Sequence, residues 1–152
     1  MKKLSRAGSA GFAIGLHLTY TSPRYMLQSY PPAWSDRYSR KGYLMLDPTV
    51  HWGLENHGWV RWGDLAELDA DGILLEAAGF GLHYGLTVTV LARGSRSIAS
   101  FARSDREYSD DEAVDMHGQM GELHDLTLHV HTLPPTLHDL LRRLSRFRET
   151  KA

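Results

Sequence analysis

Tyr30-Pro31-Pro32-Ala33-Trp34-Ser35-Asp36-Arg37-Tyr38, followed after a short polar stretch by Asp47-Pro48-Thr49-Val50, decides the reading of this chain. Two prolines suit the first turn of a helix, where a missing N–H costs nothing. A helix running from there to about Ser39 sets Tyr30, Trp34 and Tyr38 at i, i+4 and i+8 on one face. Each of these side chains has a large apolar body and one hydrogen-bonding tip. Such a row either packs as a core stripe with its tips in water or lines an apolar cavity and presents O–H and N–H groups to a small amphiphilic ligand. Asp47 before Pro48 reads as the N-cap of a second helix, to about Leu54, and as a candidate buried acid.

Outward from this segment, Phe12, Ile14, Leu16 and Leu18 alternate with Ala13, Gly15 and His17, the period of a half-buried strand. Thr21-Ser22-Pro23 is a turn signal, and residues 24–29 return as the second strand of a hairpin. Asn56-His57-Gly58 ends the second helix. A third helix is expected from about Asp69 to Ala78, stopped by Gly79. Gly85–Leu91 and Ser97–Arg103 read as strands joined at Arg93-Gly94-Ser95. Ser109-Asp110-Asp111-Glu112 is a capping box for a last helix to about His124, with Ala113, Met116, Met120 and Leu123 as its apolar stripe. The order β-β-α-α-α-β-β-α predicts an α+β fold, an antiparallel sheet flanked by helices.

Composition fits one compact domain: 152 residues, 42% hydrophobic and 23% charged. A net charge of −1 gives no electrostatic case for nucleic acid or membrane binding. The absence of cysteine excludes disulfides and thiolate metal sites. No apolar run approaches membrane-spanning length and Met1-Lys2-Lys3 lacks a following signal core, so a cytoplasmic location is expected. Nine histidines invite a metal reading, with His129-Val130-His131 near His124 and His138, but the spacing is loose and surface histidines are the expectation. No Gly-x-Ser-x-Gly elbow, His-Glu-x-x-His or phosphate-cradling loop occurs, and neither catalysis nor a cofactor is expected.

Tyr30-Pro-x-x-Trp34-x-x-x-Tyr38, Gly42-Tyr43, Asp47-Pro48-Thr49-Val50, Trp62, the run Ala77–Thr87 and Ser100-Phe101-Ala102 resemble the autoinducer-binding domain of LuxR-type quorum-sensing receptors. The resemblance spans about residues 11–127. It implies an α/β/α sandwich of PAS/GAF-like type with a ligand, an acyl-homoserine lactone, between the sheet and one helical layer. It also implies site roles. Trp34 corresponds to the donor for the lactone carbonyl and Asp47 to the acceptor for the amide N–H. Tyr30 and Ser100 correspond to donors for the amide carbonyl. Trp62 matches the aromatic packed on the lactone ring, and Tyr38 a tyrosine of the acyl pocket. Ile73, Ala77 and Leu82 are expected as apolar wall, and Thr49 and Thr87 as supports of Asp47 or ligand contacts.

The resemblance places a binding domain over residues 1–127, with the family's N-terminal helices shortened or absent, and a linker with a short helix over 128–152. Thr132–Pro135 reads as the linker and residues 137–145 as an amphipathic helix that Arg142, Arg143, Arg146 and Arg148 make basic. One such helix is not a helix-turn-helix reader of DNA, so direct DNA binding is not expected. The chain reads either as a piece of a longer receptor or as a stand-alone sensor. A homodimer is expected, or a heterodimer with a LuxR-type receptor. An antiactivator that pairs with such a receptor without ligand is the alternative, and an enzyme that degrades the signal a lesser one.

Overall fold

The computed structural model describes residues 2–128 and 146–149. A short helix α1 (Lys2–Ala7) leads into the hairpin β1 (Gly11–Thr19) and β2 (Ser22–Gln28). Helices α2 (Pro32–Arg40) and α3 (Pro48–Glu55) follow, then strand β3 (Gly58–Arg61), a 3-10 segment Trp62–Leu68 and helix α4 (Ile73–Ala78). The hairpin β4 (Tyr84–Ala92) and β5 (Ser95–Arg103), helix α5 (Asp110–Leu128) and strand β6 (Arg146–Glu149) complete the described chain. All neighbours in the sheet are antiparallel, in the order β3-β4-β5-β1-β2-β6.

Alternation along the strands divides the sheet into two unlike faces. Phe12, Ile14, Leu16, Leu86, Val88, Val90, Ala99 and Phe101 pack with α1 and the Ala113, Met116, Met120 and Leu123 stripe of α5. On the opposite face the same strands carry Ala13 and Gly15, Gly85 and Thr87, Ser100 and Ala102. Helices α2, α3 and α4 cover that face, and Trp34, Trp62, Ile73, Ala77, Leu82 and Ala102 form a second buried cluster there. The α+β sandwich expected from the sequence is present, with helices on both sides of the sheet.

Several elements depart from the sequence reading. Helix α4 begins at Ile73, not Asp69, because Gly72 takes a left-handed conformation (φ 67°) that interrupts any longer helix. Asp69 instead reaches over this break: its carboxylate accepts from the Ile73 and Leu74 N–H groups, both at 2.8 Å. Residues 58–61 form an edge strand on β4, although the sequence shows only the helix stop before them. Helix α5 continues one turn past His124 to Leu128, and α1 precedes the first expected strand. The helix expected over 137–145 and the pair His129/His131 with His138 lie outside the described residues. Arg146 and Arg148 belong to β6 rather than to a basic helix.

The capping box closes the α5 side. Ser109 N–H donates to Glu112 Oε1 (2.9 Å) and Glu112 N–H to Ser109 Oγ (3.1 Å). Arg103, 8% exposed at its side chain, binds the same carboxylate with both Nη atoms at 2.9 Å and lies 3.9 Å over the Tyr108 ring. The Arg103 and Arg106 guanidiniums hold the Glu112 carboxyl well below the usual carboxylate range. A depressed carboxylate contributes stability above its unfolded value of 4.5 and loses it as pH falls through the folded value. Glu112→Ala is therefore expected to cost about 2 kcal/mol near neutral pH, through a lost cap and an unpaired Arg103. Denaturant unfolding at a series of pH values should show the difference from wild type shrinking below pH 4.5.

Candidate functional site

Between the small-residue face of the sheet and helices α2, α3 and α4 lies a cavity of about 260 Å³. Nine of the eleven residues that the sequence singles out line it: Tyr30, Trp34, Tyr38, Asp47, Thr49, Trp62, Ile73, Ala77 and Ser100. Thr87 and Leu82 are not on the wall. Leu82 is buried behind it with Trp34, Trp62 and Ile73, and Thr87 is fully buried in the sheet.

Helix α2 builds the aromatic side. Its start at Pro32 and its 3.6-residue period bring Trp34 and Tyr38 to the same face, with ring centroids 5.9 Å apart. Tyr43 and Phe80 complete the cluster, 6.1 and 5.3 Å from Trp34. Among the described residues, none accepts a hydrogen bond from the Trp34 indole N–H, so the cavity wall carries an available donor. Tyr43 Oη donates to Glu76 Oε2 (2.6 Å) and Arg37 pairs with the same carboxylate, which ties α2 and the following turn to α4.

Asp47 caps α3 and faces the cavity at the same time. Its Oδ1 accepts from the Thr49 N–H (2.8 Å) and the Thr49 hydroxyl (2.7 Å), and its Oδ2 from the Tyr38 hydroxyl (2.7 Å). A carboxylate has about four acceptor positions, so one remains on Oδ2 for a further donor. Burial pushes the Asp47 carboxyl up, against the hydrogen bonds from Thr49 and Tyr38, which pull it down. Burial and then the nearby Asp47 charge push the Tyr30 and Tyr38 phenols up, so both remain O–H donors. Thr49 thus holds Asp47, whereas Thr87 serves a different pair.

Trp62 stands where β3 turns into the 3-10 segment, and its indole N–H donates to Thr87 Oγ1 (3.1 Å). Thr87 Oγ1 is 2.7 Å from Ser100 Oγ across the β4–β5 ladder, where the two residues are direct partners. The Trp62 ring lies flat against the strand only because residue 85 is glycine: a Cβ there would stand 1.9 Å from Trp62 Cδ2. Tyr30 Oη approaches the Ser100 carbonyl oxygen at 3.5 Å.

The far end of the cavity was not legible in the sequence. Leu18, Thr21 and Pro23 line it, together with Leu54 and Ile98. Strict alternation would put His17 on this wall. His17 takes φ 56°, turns its ring toward Ser95 Oγ (2.8 Å) and Thr127 Oγ1 (2.9 Å), and leaves Leu18 to the cavity. Among the described residues, no group of three or more His, Cys, Asp or Glu is placed to hold a metal ion, and no helix is long and apolar enough to cross a membrane.

A cavity of this kind inside an α/β/α sandwich defines a small-molecule-binding domain. Residues 2–133 match the family model of the autoinducer binding domain, and the chain belongs to that family, the signal-binding module of LuxR-type regulators. It is 31% identical over 100 residues to the transcriptional activator VanR of Vibrio anguillarum, covering 64% of this chain and 42% of that protein. It is 30% identical over 115 residues to the quorum-sensing regulator RhlR of Pseudomonas aeruginosa, covering 73% and 48%. The chain thus spans less than half the length of these two relatives. In fold it is similar to CepR2 from Burkholderia cenocepacia, an N-acylhomoserine lactone-dependent LuxR family factor. That match has a TM-score of 0.59 at 21% identity, over 78% of this chain and 72% of that one. It is also similar to SdiA in complex with octanoyl-rac-glycerol, with a TM-score of 0.59 at 20% identity, over 93% and 66%.

Two outcomes test the site's physics without a ligand. A carboxyl raised in the fold contributes stability below its unfolded value of 3.8 and loses it as pH rises through the folded value. Asp47→Asn is expected to gain stability relative to wild type as pH rises above 3.8, then level off; parallel unfolding curves at every pH would refute this. Gly85→Ala is expected to cost about 1–3 kcal/mol by overpacking, and less when Trp62 is also replaced by Leu. Denaturant unfolding of the single and double variants measures both.

Proposed function

We propose that this chain is the receptor domain for a quorum-sensing signal, that it encloses an acyl-homoserine lactone in the cavity between the sheet and α2–α4, and that occupancy is coupled to folding or subunit association. The observation that carries the reading is the complementary polar set on a mostly apolar wall: an indole N–H at Trp34, one acceptor position on Asp47, and hydroxyls at Tyr30 and Ser100. An acyl-homoserine lactone offers the matching groups in one molecule. Trp34 donates to the lactone carbonyl, Asp47 accepts from the amide N–H, and Tyr30 and Ser100 donate to the amide carbonyl. Trp62 and Ile73 flank the ring, Tyr38 and Ala77 flank the neighbouring wall, and the tail runs over Ala13 and Gly15 toward Leu18. Each buried group left without a partner would cost about 1–3 kcal/mol, which is how such a site rejects ligands lacking one of these groups.

Catalysis plays no part in this output. A ligand that binds only the folded form stabilises it by about 2.7 kcal/mol at a hundredfold excess over Kd. Subunit pairing, with a second copy or with a LuxR-type receptor, would then follow occupancy. Transcriptional control would be exercised through that assembly, with no direct DNA contact by this chain.

The test is native mass spectrometry of protein from cells fed acyl-homoserine lactones of several chain lengths, with thermal shifts in parallel. Wild type should retain a lactone, and Asp47→Ala or Trp34→Phe should lose the ligand-induced shift while keeping the apo fold. Thermal shifts equal to wild type in both variants would refute the polar assignments. A folded wild-type protein that retains no lactone would favour a ligand-independent partner of a LuxR-type receptor.

A further inference from the structure

We infer that Thr87 is a positioning residue that commits the Ser100 hydroxyl to donate into the cavity, so that the ligand group at this point is a carbonyl-type acceptor; the inference rests on the receptor reading above. It follows from the order of donors along three side chains. The indole N–H of Trp62 can only donate, and it donates to Thr87 Oγ1 at 3.1 Å. Thr87 is 0% exposed, so its own hydroxyl hydrogen must find an acceptor inside the protein or cost the fold an unmade bond. The hydroxyl partner in reach is Ser100 Oγ, 2.7 Å away. Thr87 therefore donates to Ser100.

With one lone pair of Ser100 Oγ filled by Thr87, the Ser100 hydrogen is left for the cavity that this residue lines. Reversing the order would give Thr87 Oγ1 two donors and strand its hydrogen in the sheet. The chain Trp62 to Thr87 to Ser100 thus runs in one direction, and each bond polarises the next. Strand register keeps it in line, because Thr87 and Ser100 are opposed across β4 and β5, while Gly85 lets Trp62 approach the strand. Thr87 does this without touching the cavity, which explains a polar residue fully buried in the centre of a sheet.

A double-mutant cycle tests it, read as Kd by isothermal titration with a panel of N-acyl-homoserine lactones from butanoyl to dodecanoyl. Thr87→Val keeps the shape and removes the hydroxyl; it is expected to weaken the tightest panel member about three- to tenfold, the worth of one net hydrogen bond. In a Ser100→Ala background the same substitution should change Kd by less than about twofold, because the relay no longer has an end. Thr87→Ser, which keeps the hydroxyl, should bind within about twofold of wild type on the same scale. Equal losses for Thr87→Val in both backgrounds would reduce Thr87 to a packing residue and overturn the relay. Should Thr87→Val not fold, Thr87→Ser decides: retained binding supports the hydroxyl's role, and weakened binding overturns it. A wild-type protein that binds no panel member overturns the receptor reading and the relay with it, whereas binding without coupling overturns the relay alone.

Discussion

The constraint on which the rest of this structure depends is an alternation of side-chain volume along the central strands. On β1 and β5, Phe12, Ile14, Leu16, Ala99 and Phe101 face α5, while Ala13, Gly15, Ser100 and Ala102 face the other helices. Because successive strand residues point to opposite faces, one layer fills with large apolar groups and the other stays shallow. The first layer holds the larger of the two buried apolar clusters. The second leaves the space that the aromatic side chains of α2 and the 3-10 segment roof over. Core and cavity are two consequences of one pattern.

On the shallow face, Asp47, Tyr38 and Thr87 each have a second structural duty. Asp47 starts α3 as its N-cap and keeps one acceptor position for the cavity. Tyr38 belongs to the aromatic cluster and also donates to Asp47. Thr87 is a strand residue at the centre of the sheet and also joins Trp62 to Ser100. Shared duty lowers the cost of burying polar groups, since each one is already partly satisfied before a ligand arrives. It also fixes their geometry, which is the preorganisation that small-molecule affinity needs.

The far side of the sheet carries a second polar arrangement. The His17 and His124 rings lie with centroids 4.5 Å apart, tilted at 41°, and Ser97 Oγ lies 2.7 Å from His124 Nδ1 while accepting from the His17 N–H at 3.0 Å. Through it the end of α5 is fastened to the point on β1 where the strand turns Leu18 toward the cavity. The end wall of the cavity and the last turn of α5 are therefore held by one set of hydrogen bonds.

How much of this could be read from the chain depends on how local each cause is. Trp34 and Tyr38 at helical spacing, Asp47 before Pro48, the Ser109–Glu112 box and the strand alternation are all set by neighbours within a few residues, whereas Tyr30 falls before the start of α2 and off its helical face because Pro31 is extended. By itself the sequence therefore determined the α+β layering, the α2 and α3 positions and part of the cavity wall. Tertiary structure alone decided the remainder. The left-handed turn at His17 is held by Ser95 and Thr127, distant in sequence, and it moves Leu18 onto the wall. The short strand β3 exists because β4 offers it an edge, not because four residues prefer to be extended. Thr87 looks like any strand threonine until the β4–β5 register sets it beside Ser100 and Gly85 admits Trp62 to it. Contacts between residues far apart in the chain leave no period to read, and only the packed fold brings their donors and acceptors within bonding distance.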